Sequence, residues 1–435
     1  MDIKFKKTGK VLSSFGGVVI ADKIYKNLDI KGKIVSYLPK LKRQRGTSGE
    51  EKFRAIVLSF IAGGECLEDI ENFKYDEGFL KVAKHVNAAQ TYGDFLRGFD
   101  TEQIKNLKHI LIDIALKSRK ACGLSKDEFI LDIDSTIHIQ HGKKMEGLGY
   151  DYDDNWGLSS LEAFDQYGFQ YWIEVREGNT HTSVGSLECL EAIFQRITTF
   201  KKRYLRADSG YCNKSIFNLC EAHNIPYVIR FKANMARRCL RRVTDWKKSK
   251  KLKFHDGRDC EIGTTYYESK DFNSPNRVVT LRAEKIVQIK AEGYVFDTIG
   301  YDYYSWITSI KTTDMTDEEV ILFYRKRGNA ENFIRELKNG LDLKHFPCLK
   351  LNANKAYGIM AAVAHNILRH LSYTDRKIKA QYSKAIRAKI INIPVIIVTT
   401  TRDIIFKYSQ HAYDRVILFC KLIDEQFKVP RPHPS

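Results

Sequence analysis

Four carboxylates stand where phosphate chemistry could use them. Asp132 and Asp134 are two residues apart in "EFILDIDSTIHIQ", an alternating run rich in β-branched residues that reads as a strand. Side chains alternate along a strand, so both acids point to one face. Asp208 closes a second apparent strand, "RYLRADSGY". An acid at a strand exit lies on the sheet rim, where ligands bind in open α/β sheets. Glu331 is offered by "YRKRGNAENFIRELKNG", residues 324–340, which reads as a helix. Three hard oxygen donors of this kind can hold two Mg²⁺ ions roughly 3.5–4 Å apart, a pair that clamps the attacking and leaving oxygens of a phosphoryl displacement. Taken singly, an Asp at a strand end fits a turn or helix cap as well. Asp151, Asp153 and Asp154 in "YDYDDN" read as loop acids.

On the 324–340 stretch, Tyr324, Arg327, Glu331 and Lys338 keep to one stripe at 3.6 residues per turn. Glu336 points elsewhere and reads as a solvated acid. Glu331 is therefore the candidate. Arg327 and Lys338 would offset the repulsion between metal-binding acids and a nucleic-acid backbone, and would grip phosphates. The spacing alone fits an ordinary i, i+4 ion-pair face equally well.

Several textures position these residues. Residues 1 to about 120 are mainly helical: "GEEKFRAIVLSFIAGG" and "DTEQIKNLKHILIDIALKSRK" carry early acids and apolar residues at helical spacing. From residue 128 the pattern becomes strand, strand ("YGFQYWIEVRE"), helix ("SLECLEAIFQRITTF"), strand, helix ("NKSIFNLCEAHNI"), strand ("PYVIRFKA"), a mixed α/β sheet with helices on its faces. Residues 232–304 are rich in β-branched and aromatic residues and read as a β-rich insertion. Helices return at "TDEEVILFYRKRGNAENFIRELK" and "NKAYGIMAAVAHNILRHL". The last 60 or so residues mix an extended run around Pro394 with a final helix and the Pro-rich "VPRPHPS".

The 435-residue chain carries a net charge of +19. An excess that large suggests a polyanionic partner, most often nucleic acid. Its peaks are separate: "KLKRQR" (40–45), "RRCLRR" with Arg237, Arg238, Arg241 and Arg242, and "KKSKKLK" (247–253). Separate peaks suit a long duplex track. Nine scattered Cys with no CxxC imply a reducing cytoplasm and argue against zinc. The longest apolar runs, "AIVLSFIAGG" and "INIPVIIV", fall short of the ~20 residues that span a bilayer. A soluble, cytoplasmic protein is expected.

Tyr-x2-Arg-x3-Glu-x6-Lys is matched at all four positions by Tyr324, Arg327, Glu331 and Lys338, and resembles the signature of DDE transposases of the insertion-sequence-4 superfamily. "DIDST" resembles the motif of the first catalytic Asp, at Asp134, and "LRADSGY" that of the second, at Asp208. "GGECLEDIE", His141–Gly142, "REGNTHTS" and "AHNILR" look like the insertion-sequence-1380 branch. Lys144 in "HGKK" and the lack of Pro-Ser in "AAQTYGDFLRGF" depart from that branch without touching the three acids.

The resemblance implies a helical N-terminal DNA-binding domain (1–120), an RNase H-like α/β core in two parts (121–231 and 305–375) interrupted by the β-rich insertion (232–304), and a C-terminal region for DNA binding or dimerisation (376–435). It implies Mg²⁺-dependent cleavage, with Mn²⁺ able to substitute, at the terminal inverted repeats of a bacterial insertion sequence. Strand transfer of the 3′-OH ends into target DNA would follow, within a homodimer. It also implies stacking of an insertion aromatic on a flipped base, for which Trp306 in "YYSWITS" fits as well as it fits plain core. The rival expectations are an RNase H-like host nuclease or resolvase and a domesticated DNA-binding protein without catalysis.

Overall fold

The computed structural model of the chain describes residues 3–40, 46–268, 275–291, 294–375 and 382–427. All but Lys40 of the 40–45 basic peak, and the Pro-rich tail, lie outside these residues. The first 121 residues supply helices α1 (Val18–Asn27), α2 (Ile30–Ile34), α3 (Gly49–Ala62), α4 (Glu77–Ala83), α5 (Ala89–Arg97) and α6 (Thr101–Ala121), after a short strand β1 (Val11–Ser13). The two helices foreseen here start where their caps dictate. Ser48 and Glu51 form a reciprocal capping box on α3, and Asp100 and Gln103 form one on α6. Gly63, at φ 109°, ends α3 in the left-handed conformation that a side chain disfavours.

The main sheet has ten strands. Its centre is built from β2 (Glu128–Ile139), β4 (Trp156–Asp165), β5 (Gln170–Glu177), β6 (Lys202–Ala207) and β7 (Tyr227–Arg230), in the order β5-β4-β2-β6-β7. β2, β6 and β7 are parallel, and β4 runs antiparallel to β2 and to β5. The two-residue β3 (Gly149–Tyr150) also pairs with β4. Sequence patterning missed β4. Every residue of "WGLSSLEAFD" after Trp156 is buried, so the run shows no alternation.

Beyond β7 the sheet continues through β11 (Tyr294–Thr308), β10 (Asn276–Ala291), β9 (Asp259–Tyr267) and β8 (Trp246–Lys253). β11 hydrogen-bonds to β7 at Trp306–Arg230 through Thr308–Val228, so these four strands extend the same sheet. β8 is the far edge. Its exposed lysines discourage pairing with another chain. A separate sheet joins β1 to β12 (Val395–Thr399) and β13 (Ile404–Lys407).

Helices α7 (Ser186–Phe194) and α8 (Lys214–Ala222), with α6, cover one face of the central strands, where Leu131, Ile133, Leu205 and Ala207 meet Ile112, Cys189, Leu190 and Ile216. α9 (Ala233–Leu240) follows β7. The opposite face carries α10 (Asp317–Arg325) and α11 (Gly328–Gly340). The 24-residue α12 (Leu351–Thr374) runs against β5, α6 and α3 and ties the helical lobe to the sheet. α13 (Ser383–Ile386) and α14 (Gln410–Gln426) follow among the described residues.

Candidate active site

β2 and β6 run parallel with Asp132 opposite Arg206 and Ile133 opposite Ala207. The next residue along each segment is an acid. Asp208, immediately after β6, therefore stands beside Asp134 on the face covered by α10 and α11, and its charge acts on Asp134. Burial pushes the Asp134 carboxyl up from its ordinary value, opposed by the Arg327 guanidinium. Asp134 also accepts the Ser135 N–H at 2.9 Å.

Asp132 shares the face of Asp134 but not its surroundings. It is fully buried and takes a bidentate pair from Arg206, at 2.7 and 2.6 Å, while Arg206 also donates to the Phe323 carbonyl. Both its oxygens are satisfied inside the protein, and the ion pair staples β2 to β6 and α10.

The 324–340 stretch is two helices rather than one. Hydrogen bonds from Arg327 N to Tyr324 O, Asn329 N to Lys326 O and Ala330 N to Arg327 O close three-residue turns and break the α-ladder. Tyr324 lies in the last turn of α10, Arg327 caps α11, and Glu331 lies in the first turn of α11. The expected continuous stripe is thus corrected, yet its residues still converge. Arg327 bridges two of the acids: Nη1 donates to Asp134 Oδ2 at 2.9 Å and Nη2 to Glu331 Oε1 at 2.6 Å. Lys338 reaches β2, donating to Thr136 Oγ1 at 2.5 Å and the Ile137 carbonyl at 2.6 Å. Burial lowers its pKa from the ordinary lysine value.

Glu336 is not solvated. It accepts the Ser383 N–H at 2.6 Å and the Ser383 hydroxyl, capping α13, and burial raises its pKa. The loop acids behave as expected: Asp151 accepts the N–H groups of Asp153 and Asn155 and shapes its own turn.

One acid was not singled out from the sequence. Glu162 on β4 is the cross-strand partner of Asp134, fully buried, with Oε2 lacking a hydrogen-bond partner among the described residues. A polar chain runs from it. Ser160 Oγ lies 2.7 Å from Glu162 Oε1 and 2.8 Å from His138 Nε2, and His138 Nδ1 is 2.9 Å from the Leu343 carbonyl. Burial pushes Glu162 up to about 7 and His138 down to about 3. The sequence signal was a lone Glu inside an apolar run.

Trp306 is 2 % exposed and packs against Tyr304 and Tyr324, with ring centroids 4.8 and 5.7 Å away. Its indole N–H has no hydrogen-bond partner among the described residues. With Tyr304, Tyr324, Phe254 and His255 it lines a cavity of about 200 Å³ whose other wall is Arg325, Arg327, Gly328 and Glu331. Arg237, Arg238, Arg241 and Arg242, on and just after α9, are all exposed.

Among the described residues, no three His, Cys, Asp or Glu side chains form a group that could hold a metal ion as they stand. Asp134 and Asp208 adjoin, whereas Glu331 meets Asp134 only through Arg327. No described helix is long and apolar enough to cross a membrane.

A mixed α/β sheet carrying neighbouring acids on its rim, in a strongly basic chain, belongs to the class of proteins that act on nucleic acid. The family described as transposase DDE domain group 1 matches residues 1–424, and the chain belongs to that family. It is a DNA transposase by family, with DNA as substrate, in a family that generally uses divalent metal ions. No curated protein sequence matches the chain.

Proposed function

We propose that the chain cleaves and transfers DNA ends with Asp134, Asp208 and Glu331 as its catalytic carboxylates, in the manner of the insertion-sequence-1380 branch. The observation that carries this reading is the β2–β6 register, which sets Asp134 beside Asp208 while Arg327 draws Glu331 toward them. The strand order β5-β4-β2-β6-β7, antiparallel only at β4, supports an RNase H-like core for residues 121–231 and 305–375. The helices of residues 1–120 form the proposed DNA-binding lobe, residues 232–304 the insertion, and residues 376–435 a further DNA-binding or dimerisation region.

The donor set fits divalent cations in chemistry: all three groups are hard carboxylate oxygens. Asp134, Asp208 and, once released from Arg327, Glu331 would hold Mg²⁺. When bound, two such ions supply a water of lowered pKa and stabilise the departing 3′ oxygen. The chain's own residues do the rest. Arg327 offers two N–H donors to a phosphate. Lys338 fixes α11 on β2 beside Asp134 and keeps a third N–H for the backbone near the cut. The cavity beside Glu331 receives an unpaired base against Trp306 and its aromatic neighbours, contacts worth roughly 1–3 kcal/mol per base. The exposed arginines after β7 and the lysines of β8 track flanking duplex at terminal inverted repeats, in a homodimeric complex.

The test is substitution within the full chain. Asp134→Asn, Asp208→Asn and Glu331→Gln each retain binding to a duplex carrying the inverted repeat that flanks the gene, and each lose Mg²⁺-dependent nicking. Full cleavage by any one of the three overturns the assignment.

A further inference from the structure

Arg327 sits where a cation shared by Asp134 and Glu331 would sit. Each terminal nitrogen of its guanidinium holds a different acid, at 2.9 and 2.6 Å, and its side chain is only 12 % exposed. Asp134 is nearly as enclosed, at 17 %, but Glu331 is 60 % exposed, and its one hydrogen bond among the described residues goes to Arg327. Nothing else draws it inward. A carboxylate oxygen engaged by a guanidinium is shared poorly with a divalent ion, since two cations would compete for the same charge.

We infer that Arg327 is a resident counter-cation: it holds Glu331 beside Asp134 in the DNA-free protein and must swing off both acids before a divalent ion can join them. The inference rests on the carboxylate assignment proposed above. A phosphate is the natural alternative partner, because it accepts the same two parallel N–H donors. DNA arriving at the rim would draw the guanidinium onto its backbone and free the acids, so that metal loading follows substrate binding.

The measurement is Mn²⁺ binding to the DNA-free, full-length protein, read from the electron paramagnetic resonance signal of free Mn²⁺. Arg327→Gln is expected to bind Mn²⁺ at least about tenfold more tightly than wild type, because the competing charge is gone. Arg335→Gln, which removes an equal charge from the exposed side of α11, is expected to stay within about twofold. Arg327→Lys, which keeps the charge but cannot span both acids, falls between and serves if the glutamine variant does not fold. The inference is overturned if neither Arg327 variant binds more tightly than wild type, or if Arg335→Gln tightens binding equally. Asp134→Asn separates the two levels. Tight Mn²⁺ binding that survives this change would remove the carboxylate assignment itself, whereas its loss, with Arg327→Gln unchanged from wild type, removes only the counter-cation.

Discussion

Replacing Glu162 with Gln should stabilise the protein above neutral pH and leave it nearly unchanged in acid. His138 is buried and held neutral, so it has one ring N–H. Nδ1 faces the Leu343 carbonyl, which can only accept, so the proton is on Nδ1. Nε2 must then accept the Ser160 hydroxyl, and Ser160 Oγ in turn must accept from Glu162. Glu162 is therefore a carboxylic acid in the folded state. In the unfolded chain it releases its proton near 4.5, and in the folded chain near 7. Between those values the unfolded state has already lost a proton that the native state still holds. The stability this group contributes is thus complete below about 4.5 and is lost as pH rises through about 7. The full loss is about 3 kcal/mol, with the attraction of Lys338 for the ionised form already included. Gln keeps the shape and the donor to Ser160 without the titration. Urea unfolding of wild type and Glu162→Gln should differ little at about pH 5 and by up to about 3 kcal/mol at about pH 8, with the variant the more stable. A variant less stable by the same amount at every pH would refute the argument and show that Glu162 is ionised in place, accepting from Ser160.

Asp132→Leu alone strands the buried Arg206 guanidinium and should cost about 3–5 kcal/mol in urea unfolding, while Asp132→Leu with Arg206→Met should recover most of it. Arg387 donates to the carbonyls of Phe60, Ile61 and Gly340, at the C-terminal ends of α3 and α11, and Arg387→Met should lose about 3 kcal/mol or more by orphaning them. Changing Arg237, Arg238, Arg241 and Arg242 together to Gln should flatten the dependence of log K on log salt by about 0.9 for each phosphate left without its cation, measured by titrating a labelled duplex. An unchanged slope would remove these residues from the DNA track.

The parts of the fold that local patterning can specify were legible in the sequence. Early acids and apolar residues at helical spacing announced α3 and α6, and alternation announced β2. What failed was long-range. β4 is buried on both faces, and a strand without a wet face has no period to read. Spacings of three, four and seven are the same whether or not the helix breaks at Arg327, so the α10–α11 joint was hidden. Glu336 looked solvated because its partner Ser383 is 47 residues away. Alternation put Asp132 and Asp134 on one face but could not say that Arg206 would claim the first and leave the second for the rim. The Asn366 of "AHNILR" bonds both the N–H and the carbonyl of Gln170, so that motif fastens α12 to the start of β5 and is structural.

The helix that carries Glu331 is held firmly at its far end. Lys338 pins it to β2, and Arg387 holds its last carbonyl to the end of α3. Ile334 and Leu337 fix its inner face in the core. The loose end is the first turn, where Arg327 and Glu331 face each other beside an open cavity and Gly328 has no neighbour within 4 Å of where a Cβ would stand. Any movement that brings Glu331 closer to Asp134 and Asp208 is therefore best made by side-chain rotation in that turn, since sliding α11 would break hydrogen bonds at two carbonyls and one hydroxyl. Rotamer changes of exposed groups are fast and cheap beside shifts of packed helices. That division fits the proposed role of an acid that is 60 % exposed: the rest of its helix is fixed, and only side chains in the first turn need to change partners.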